Sequence, residues 1–262
     1  MNWSNLVQII HKLRSPEGCP WDRKQTHDSL KRFLLEESYE LFEAIDQEDP
    51  EAIKDELGDV LLQVLLHAEI GREKGAFSID DVISNLAEKI VRRHPHVFGD
   101  VTADTPEQVL KNWEAVKKTE QNLSERVSAL DGVPSVFPAL MRAEKIQKKA
   151  AKVGFDWDDT PDVVEKIHEE LTELEQAMQS GLQEDVEDEL GDLLFATVNL
   201  SRFVDVDPEF ALQKATAKFV ERFHLVESYA KEEGVDMNDL NLDELNLLWD
   251  RAKDQLRKKP QV

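Results

Sequence analysis

Residues 167–178 read IHEELTELEQAM and residues 188–203 read DELGDLLFATVNLSRF, and these two stretches decide the fold. Ile167, Leu171, Leu174 and Met178 recur at steps of three and four, the apolar stripe of an amphipathic helix. Glu189, Asp192, Ala196 and Asn199 follow steps of 3, 4 and 3, a second stripe on an otherwise apolar helix. The same text appears earlier: LLEESYELFEAI at 34–45 and DELGDVLLQVLLHAEI at 55–70. Glu37, Glu40, Glu56 and Asp59 are spaced 3, 16 and 3 apart, and so are Glu170, Glu173, Glu189 and Asp192, each 133 positions further on.

Outside these stretches the repeat continues with small shifts. Gly18, Trp21 and Asp22 answer Gly154, Trp157 and Asp158; Lys89 and Arg93 answer Lys218 and Arg222; Trp113 and Lys117 answer Trp249 and Lys253. A period this long marks a duplicated domain and not a solenoid unit. The seam falls in TEQNLSERVSALDGVPSVFP, which holds Asp-Gly and two prolines and no sustained apolar period. The expected limits are an N-terminal domain over 1–122, a linker over 123–136 and a C-terminal domain over 137–262. Leu6, Ile9, Ile10 and Leu13 give a further helical stripe, and strand signals are almost absent. Helix stops are expected at Gly71–Gly75, Pro95, Gly181 and Gly234. The fold class is therefore all-α, two tandem helical bundles of four or five helices each.

Composition narrows the function. The 262 residues carry 55 Asp and Glu against 32 Lys and Arg, a formal net charge of −23, with 40% apolar residues, a globular balance. Such acidity argues against a nucleic-acid backbone as partner. No apolar run approaches the ~18–20 residues of a membrane span, so no membrane partner is expected. The opening MNWSNLVQIIHKLRS does not read as a signal peptide, and the single cysteine, Cys19, suits the cytoplasm.

Most acidic stretches here, such as Glu48–Glu51 and Glu232–Glu233, need be no more than wet helix faces. The repeated quartet differs. Carboxylates three apart share a helix face and repel, and Asp192 opens the apolar run LLFATVNL. A carboxylate carried into a bundle must be paired, protonated or metal-bound. Two helices with two carboxylates each make an all-oxygen site suited to magnesium. The bland alternative is inter-helix salt bridging. A rival is a di-iron bundle, for which Glu165-x-x-His168 and Glu221-x-x-His224 offer the pattern, but neither pair survives in the first half. His94 and His96 around Pro95 read as a turn. Lys218 and Arg222, four apart on one face and recurring as Lys89 and Arg93, suit phosphate. Trp249 is either core or a base-stacking platform, and Trp21 and Trp157 carry the same ambiguity. A non-enzymatic acidic interaction module remains as the alternative function.

Taken in order, GCPWD, EExxE, ELGD, RRHPHVF, NWExVK, PALMRAEKIQKKAAKVGFDW, ELGDLLFATVNL and KFVERF resemble the MazG family of nucleoside triphosphate pyrophosphohydrolases, of the two-domain bacterial type, over nearly the whole chain. The resemblance implies the all-α nucleotide pyrophosphatase fold, a homodimer with each site completed near a subunit interface, and magnesium-dependent hydrolysis of nucleoside triphosphates to monophosphate and diphosphate with broad base tolerance, manganese serving as a substitute metal. It implies Glu170, Glu173, Glu189 and Asp192 as metal ligands. Lys166, Glu169, Glu170, Asp192, Asn199, Lys218, Arg222 and Trp249 become nucleotide-binding positions, and Glu170 or Glu173 the carboxylate that orients or deprotonates the attacking water. Glu37, Glu40, Glu56 and Asp59 form a second candidate metal site. The first half carries Leu66 where the second has Asn199 and Phe33 where it has Lys166, so the second half is expected to be the main catalytic domain.

Overall fold

The computed structural model describes residues 2–120 and 128–258. Among them are twelve α-helices and no strand. The chain divides into two compact units, Met1–Leu123 and Ser124–Val262. Residues 123–127 of the expected linker lie outside the described residues, and 128–136 form turns and bends.

The first unit holds α1 (Trp3–Arg14), α2 (Pro20–Lys24), α3 (Lys31–Asp46), α4 (Pro50–Glu73), α5 (Ile79–Arg93), α6 (Pro95–Phe98) and α7 (Pro106–Glu120). That exceeds the four or five helices expected, because α2 and α6 are too short to show a period. Each begins at a proline, whose fixed φ and missing N–H suit a first helical turn. Pro95 with its flanking histidines thus starts a short helix and not a simple turn. α3 and α4 form a helical hairpin, on which Asp49 caps α4 by accepting from the Glu51 and Ala52 N–H groups. Ile10, Leu30, Leu65, Leu66 and Ile70 are its dry core, with Phe33 packed against them. Beside them His27 and His67 stack with ring centroids 5.1 Å apart and Nδ1 atoms at 2.8 Å, and Phe77 extends the stack. Burial first, then the His27 charge, holds the His67 imidazolium below its usual range.

The second unit holds α8 (Ala139–Ala151), α9 (Thr160–Ser180), α10 (Gln183–Phe203), α11 (Pro208–Glu233) and α12 (Leu242–Lys258). Asp159 caps α9 by accepting from the Asp162 N–H, and Gly181 closes it at φ 75, a left-handed geometry that glycine adopts without a Cβ penalty. The link to α10 is two residues long, so the two helices are antiparallel neighbours and the most closely packed pair in the unit. Gly234 ends α11 in the same left-handed way. α8 lies against α10 as α1 lies against α4. A separate core of Val226, Tyr229, Ala230, Leu248 and Ala252 joins α11 to α12. In the α8–α9–α10 group the buried apolar residues are the small Val163, Ala177, Ala196 and Val198.

Candidate active site

Both helical hairpins bring carboxylates together. In the second unit, Glu170 and Glu173 of α9 and Glu189 of α10 offer oxygens that lie within 4.8 Å of one another. In the first, Glu37, Glu56 and Asp59 do the same. Asp192 is not in the tight second trio and Glu40 is not in the first, yet both are near. Desolvation, then the charges of Glu173, Glu170 and Asp192, push the Glu189 carboxyl above its usual range. Desolvation followed by Asp59 and Glu40 does this to Glu37, and desolvation followed by Glu40 and Asp59 to Glu56.

Salt bridging accounts for only part of the second cluster. Lys166, one turn before Glu170 on α9, reaches Glu170 Oε1 at 2.7 Å and Glu169 Oε1 at 2.8 Å, and these carboxylates hold its ammonium above the usual lysine range, Glu169 foremost. Among the described residues, Glu173, Glu189 and Asp192 have no ion pair. Glu170 is 6% exposed. An apolar-backed set of oxygen donors this close, with most of its charge uncompensated, fits a hard divalent cation. Glu165, His168, Glu221 and His224 join neither cluster, so the di-iron pattern gains no geometric support.

Next to the second cluster opens a cavity of about 530 Å³. Glu170 and Asp192 stand at its acidic end together with Lys166. Its walls are apolar or aromatic, including Phe155, Trp157, Phe195 and Ala196, and its polar groups include Gln147, Asn199 and the ion pair Asp156–Arg202. α8 supplies Gln147 and α10 supplies Asn199, so the packing of α8 on α10 creates the hollow.

The matching positions in the first half are apolar and packed on its core. Phe33, in the Lys166 position, meets Trp21 edge-on at 5.5 Å between centroids and packs on the dry core. Leu66, in the Asn199 position, is 2% exposed. The two substitutions seen in the sequence thus put apolar core side chains where the second half has polar residues lining a cavity.

Lys218, Arg222 and Trp249 do not line the cavity. Arg222 lies over the Trp249 ring at 5.8 Å, and Phe219 lies against that ring at 5.0 Å. Trp249 also packs on the α11–α12 core. The first half repeats the motif, with Arg93 over Trp113 at 5.3 Å. Lys218 is exposed and makes no ion pair among the described residues. Sequence reasoning missed Gln147, Asp156 and Arg202. Gln147 and Asp156 lie inside PALMRAEKIQKKAAKVGFDW, so the signal was a motif whose individual members had not been assigned.

Tandem all-α domains, each with converging carboxylates on a helical hairpin, define a class of proteins whose chemistry is carried by acidic helix pairs. The family model described as the MazG nucleotide pyrophosphohydrolase domain matches this chain twice, over residues 25–98 and 161–226. The chain is 52% identical over 251 residues to the nucleoside triphosphate pyrophosphohydrolase/pyrophosphatase MazG of Thermotoga maritima, covering 96% of this chain and 95% of that protein. It is 44% identical over 253 residues to the nucleoside triphosphate pyrophosphohydrolase of Escherichia coli, covering 95% and 96%. It is also 52% identical over 257 residues to the uncharacterised YabN of Bacillus subtilis, covering 98% of this chain and 52% of that protein. The chain belongs to the MazG nucleotide pyrophosphohydrolase family, and as such is a hydrolase.

Proposed function

We propose that the C-terminal unit, over 137–262, hydrolyses nucleoside triphosphates to monophosphate and diphosphate with broad base tolerance, using magnesium held by Glu170, Glu173, Glu189 and Asp192. The observation that carries this reading is the junction of a carboxylate cluster with an aromatic-walled cavity. One end suits metal and phosphate and the other suits a nucleoside. Magnesium there would neutralise and polarise phosphate oxygens; manganese fills the same role. Cleavage between the α and β phosphates needs positioning and charge neutralisation above all. Lys166 places a cation beside Glu170 at the mouth, within reach of a phosphate oxygen. Glu170 or Glu173, whichever keeps a free oxygen, orients the attacking water and accepts its proton. Lys218 and Arg222 belong to α11, and their part in holding the outgoing diphosphate requires them to approach the cavity from another chain or after a shift of α11. Trp249, half-buried against Phe219, supports a packing role in this conformation.

A second copy is the favoured partner. The chain exposes 19002 Å², whereas even two separate globules of about 15 kDa would expose about 14,000 Å². Leu171, Leu190, Leu194 and Phe219 are among the apolar side chains left open. The N-terminal cluster of Glu37, Glu40, Glu56 and Asp59 would hold a second cation, with Phe33 and Leu66 standing where the second half has the cavity-lining Lys166 and Asn199. No helix among the described residues is long and apolar enough to cross a membrane; we propose a cytoplasmic enzyme with no nucleic-acid partner.

The test is product analysis with ATP and magnesium. AMP and diphosphate in one step are expected. Orthophosphate as first product, or full turnover in excess chelator, would overturn the assignment.

A further inference from the structure

The cavity beside the C-terminal carboxylates has two polar atoms that nothing in the chain satisfies. Its other polar side chains are engaged or belong to the acidic end. Arg202 donates to both carboxylate oxygens of Asp156, at 2.8 and 2.6 Å. Lys166 is held by Glu169 and Glu170. Asp192 stands with the carboxylates. That leaves Gln147 and Asn199, whose Oε1 and Oδ1 are buried and accept no hydrogen bond. Buried polar atoms are paired in the great majority of cases, so two orphans lining one cavity call for a partner.

The orientation of Gln147 is fixed. Its Nε2 donates to the Phe195 carbonyl at 2.8 Å, so the oxygen is the free end. The side chain is 6% exposed and sits on α8, tied to α10. Asn199 lies seven residues after Asp192 on α10, about 10 Å along the helix at 1.5 Å per residue. A nucleotide whose phosphates meet Asp192 and Glu170 therefore brings its base to the level of Asn199. Phe155, Trp157 and Phe195 line the same cavity and suit the faces of a ring.

Two acceptors need two N–H groups. An exocyclic amino group carries two; the ring N–H of a hypoxanthine or a uracil carries one. Resting on the nucleotide reading of this site, we infer that Gln147 and Asn199 read the base as a pair of acceptors. The cavity then favours amino-bearing bases, adenine, cytosine and guanine, over hypoxanthine and uracil. The preference is graded within a broad tolerance, because the phosphate end is common to all substrates. With a deaminated base one acceptor stays unpaired, and leaving a buried partner unmatched lowers kcat/KM by about tenfold or more.

The experiment compares kcat/KM for ATP against ITP and for CTP against UTP, with magnesium, in the full chain. Wild type is expected to favour the amino member of each pair by about tenfold, through KM. Gln147→Leu and Asn199→Leu should each bring both ratios close to one, by raising KM for ATP and CTP more than for ITP and UTP. Leucine at position 199 copies the Leu66 of the first half, so this variant retains a fold-compatible residue if Gln147→Leu proves unstable. Equal kcat/KM within each pair in wild type overturns the inference and leaves pyrophosphohydrolysis intact. So does a preference that persists undiminished in Asn199→Leu. Absence of monophosphate and diphosphate formation from every one of these nucleotides in wild type would instead sink the underlying assignment.

Discussion

Exchanging the residues at the paired positions 66 and 199 should have opposite effects on stability. Leu66 is 2% exposed, in contact with a cluster whose other members include Leu30 at 0% and Ile70 at 2%. Leu66→Asn forfeits the burial of a leucine, about 1.5–3 kcal/mol, and strands an amide in apolar surroundings, about 1–3 kcal/mol more. A loss of about 3–5 kcal/mol in a domain of this size lowers its melting temperature by about 10–20 °C. Asn199→Leu removes an acceptor that already has no partner and adds apolar surface inside a hollow. Its expected effect on the free protein runs from neutral to about 2 kcal/mol stabilising. Scanning calorimetry on each single variant, without nucleotide, reads both numbers. Comparable losses at the two positions would refute the reasoning, since they would mean that position 199 is as tightly packed as position 66 and that the two halves do not differ as solid and hollow.

Glu173→Ala or Asp192→Ala should abolish most hydrolysis, whereas Glu40→Ala or Asp59→Ala should cost little, as measured by AMP release; equal losses would mean two working sites. Trp249→Ala should lower the melting temperature, by up to about 3 kcal/mol of stability for a half-buried Trp, and a variant that melts as wild type but loses affinity for both ATP and AMP would show that the ring stacks on the base. His67, with its folded-state pKa held below the unfolded value, contributes stability that is complete above about pH 6.5 and is lost as pH falls through that range. Melting of the first unit should therefore drop between pH 7 and 5, and His67→Phe should flatten that slope; an identical slope in the variant would exclude the His27–His67 stack as its source.

The duplicated architecture was legible because it is written in chemical identity. Eight carboxylates at one offset, and glycines where helices must stop, survive as letters. The two helical hairpins follow from them, and so does the convergence of Glu170, Glu173 and Glu189. What the letters do not carry is volume. That Phe33 replaces Lys166 reads as a lost charge, but that its ring fills the place beside Trp21 depends on how α2 and α3 meet. Gln147 looked like any polar residue of a basic helix, since its value comes from a carbonyl on α10, 48 positions away. Lys218 and Arg222 show the opposite limit. Their shared face was correctly placed on one helix, yet a helical period does not say which neighbour covers that face, and here Arg222 lies over Trp249. The short helices α2 and α6 escaped because four or five residues are too few to display a period.

The contrast between a filled and a hollow half bears on how long the chain survives. A domain with a dry centre reaches its full resistance to unfolding by itself. A domain with a cavity gains further stability from what it binds there, by an amount that grows with the logarithm of ligand concentration. Proteases that sample transient openings would then meet a chain whose first half is indifferent to nucleotide supply and whose second half is shielded while nucleotide is plentiful. In starvation the C-terminal half would be trimmed first, so substrate abundance would set the lifetime of the catalyst as well as its rate.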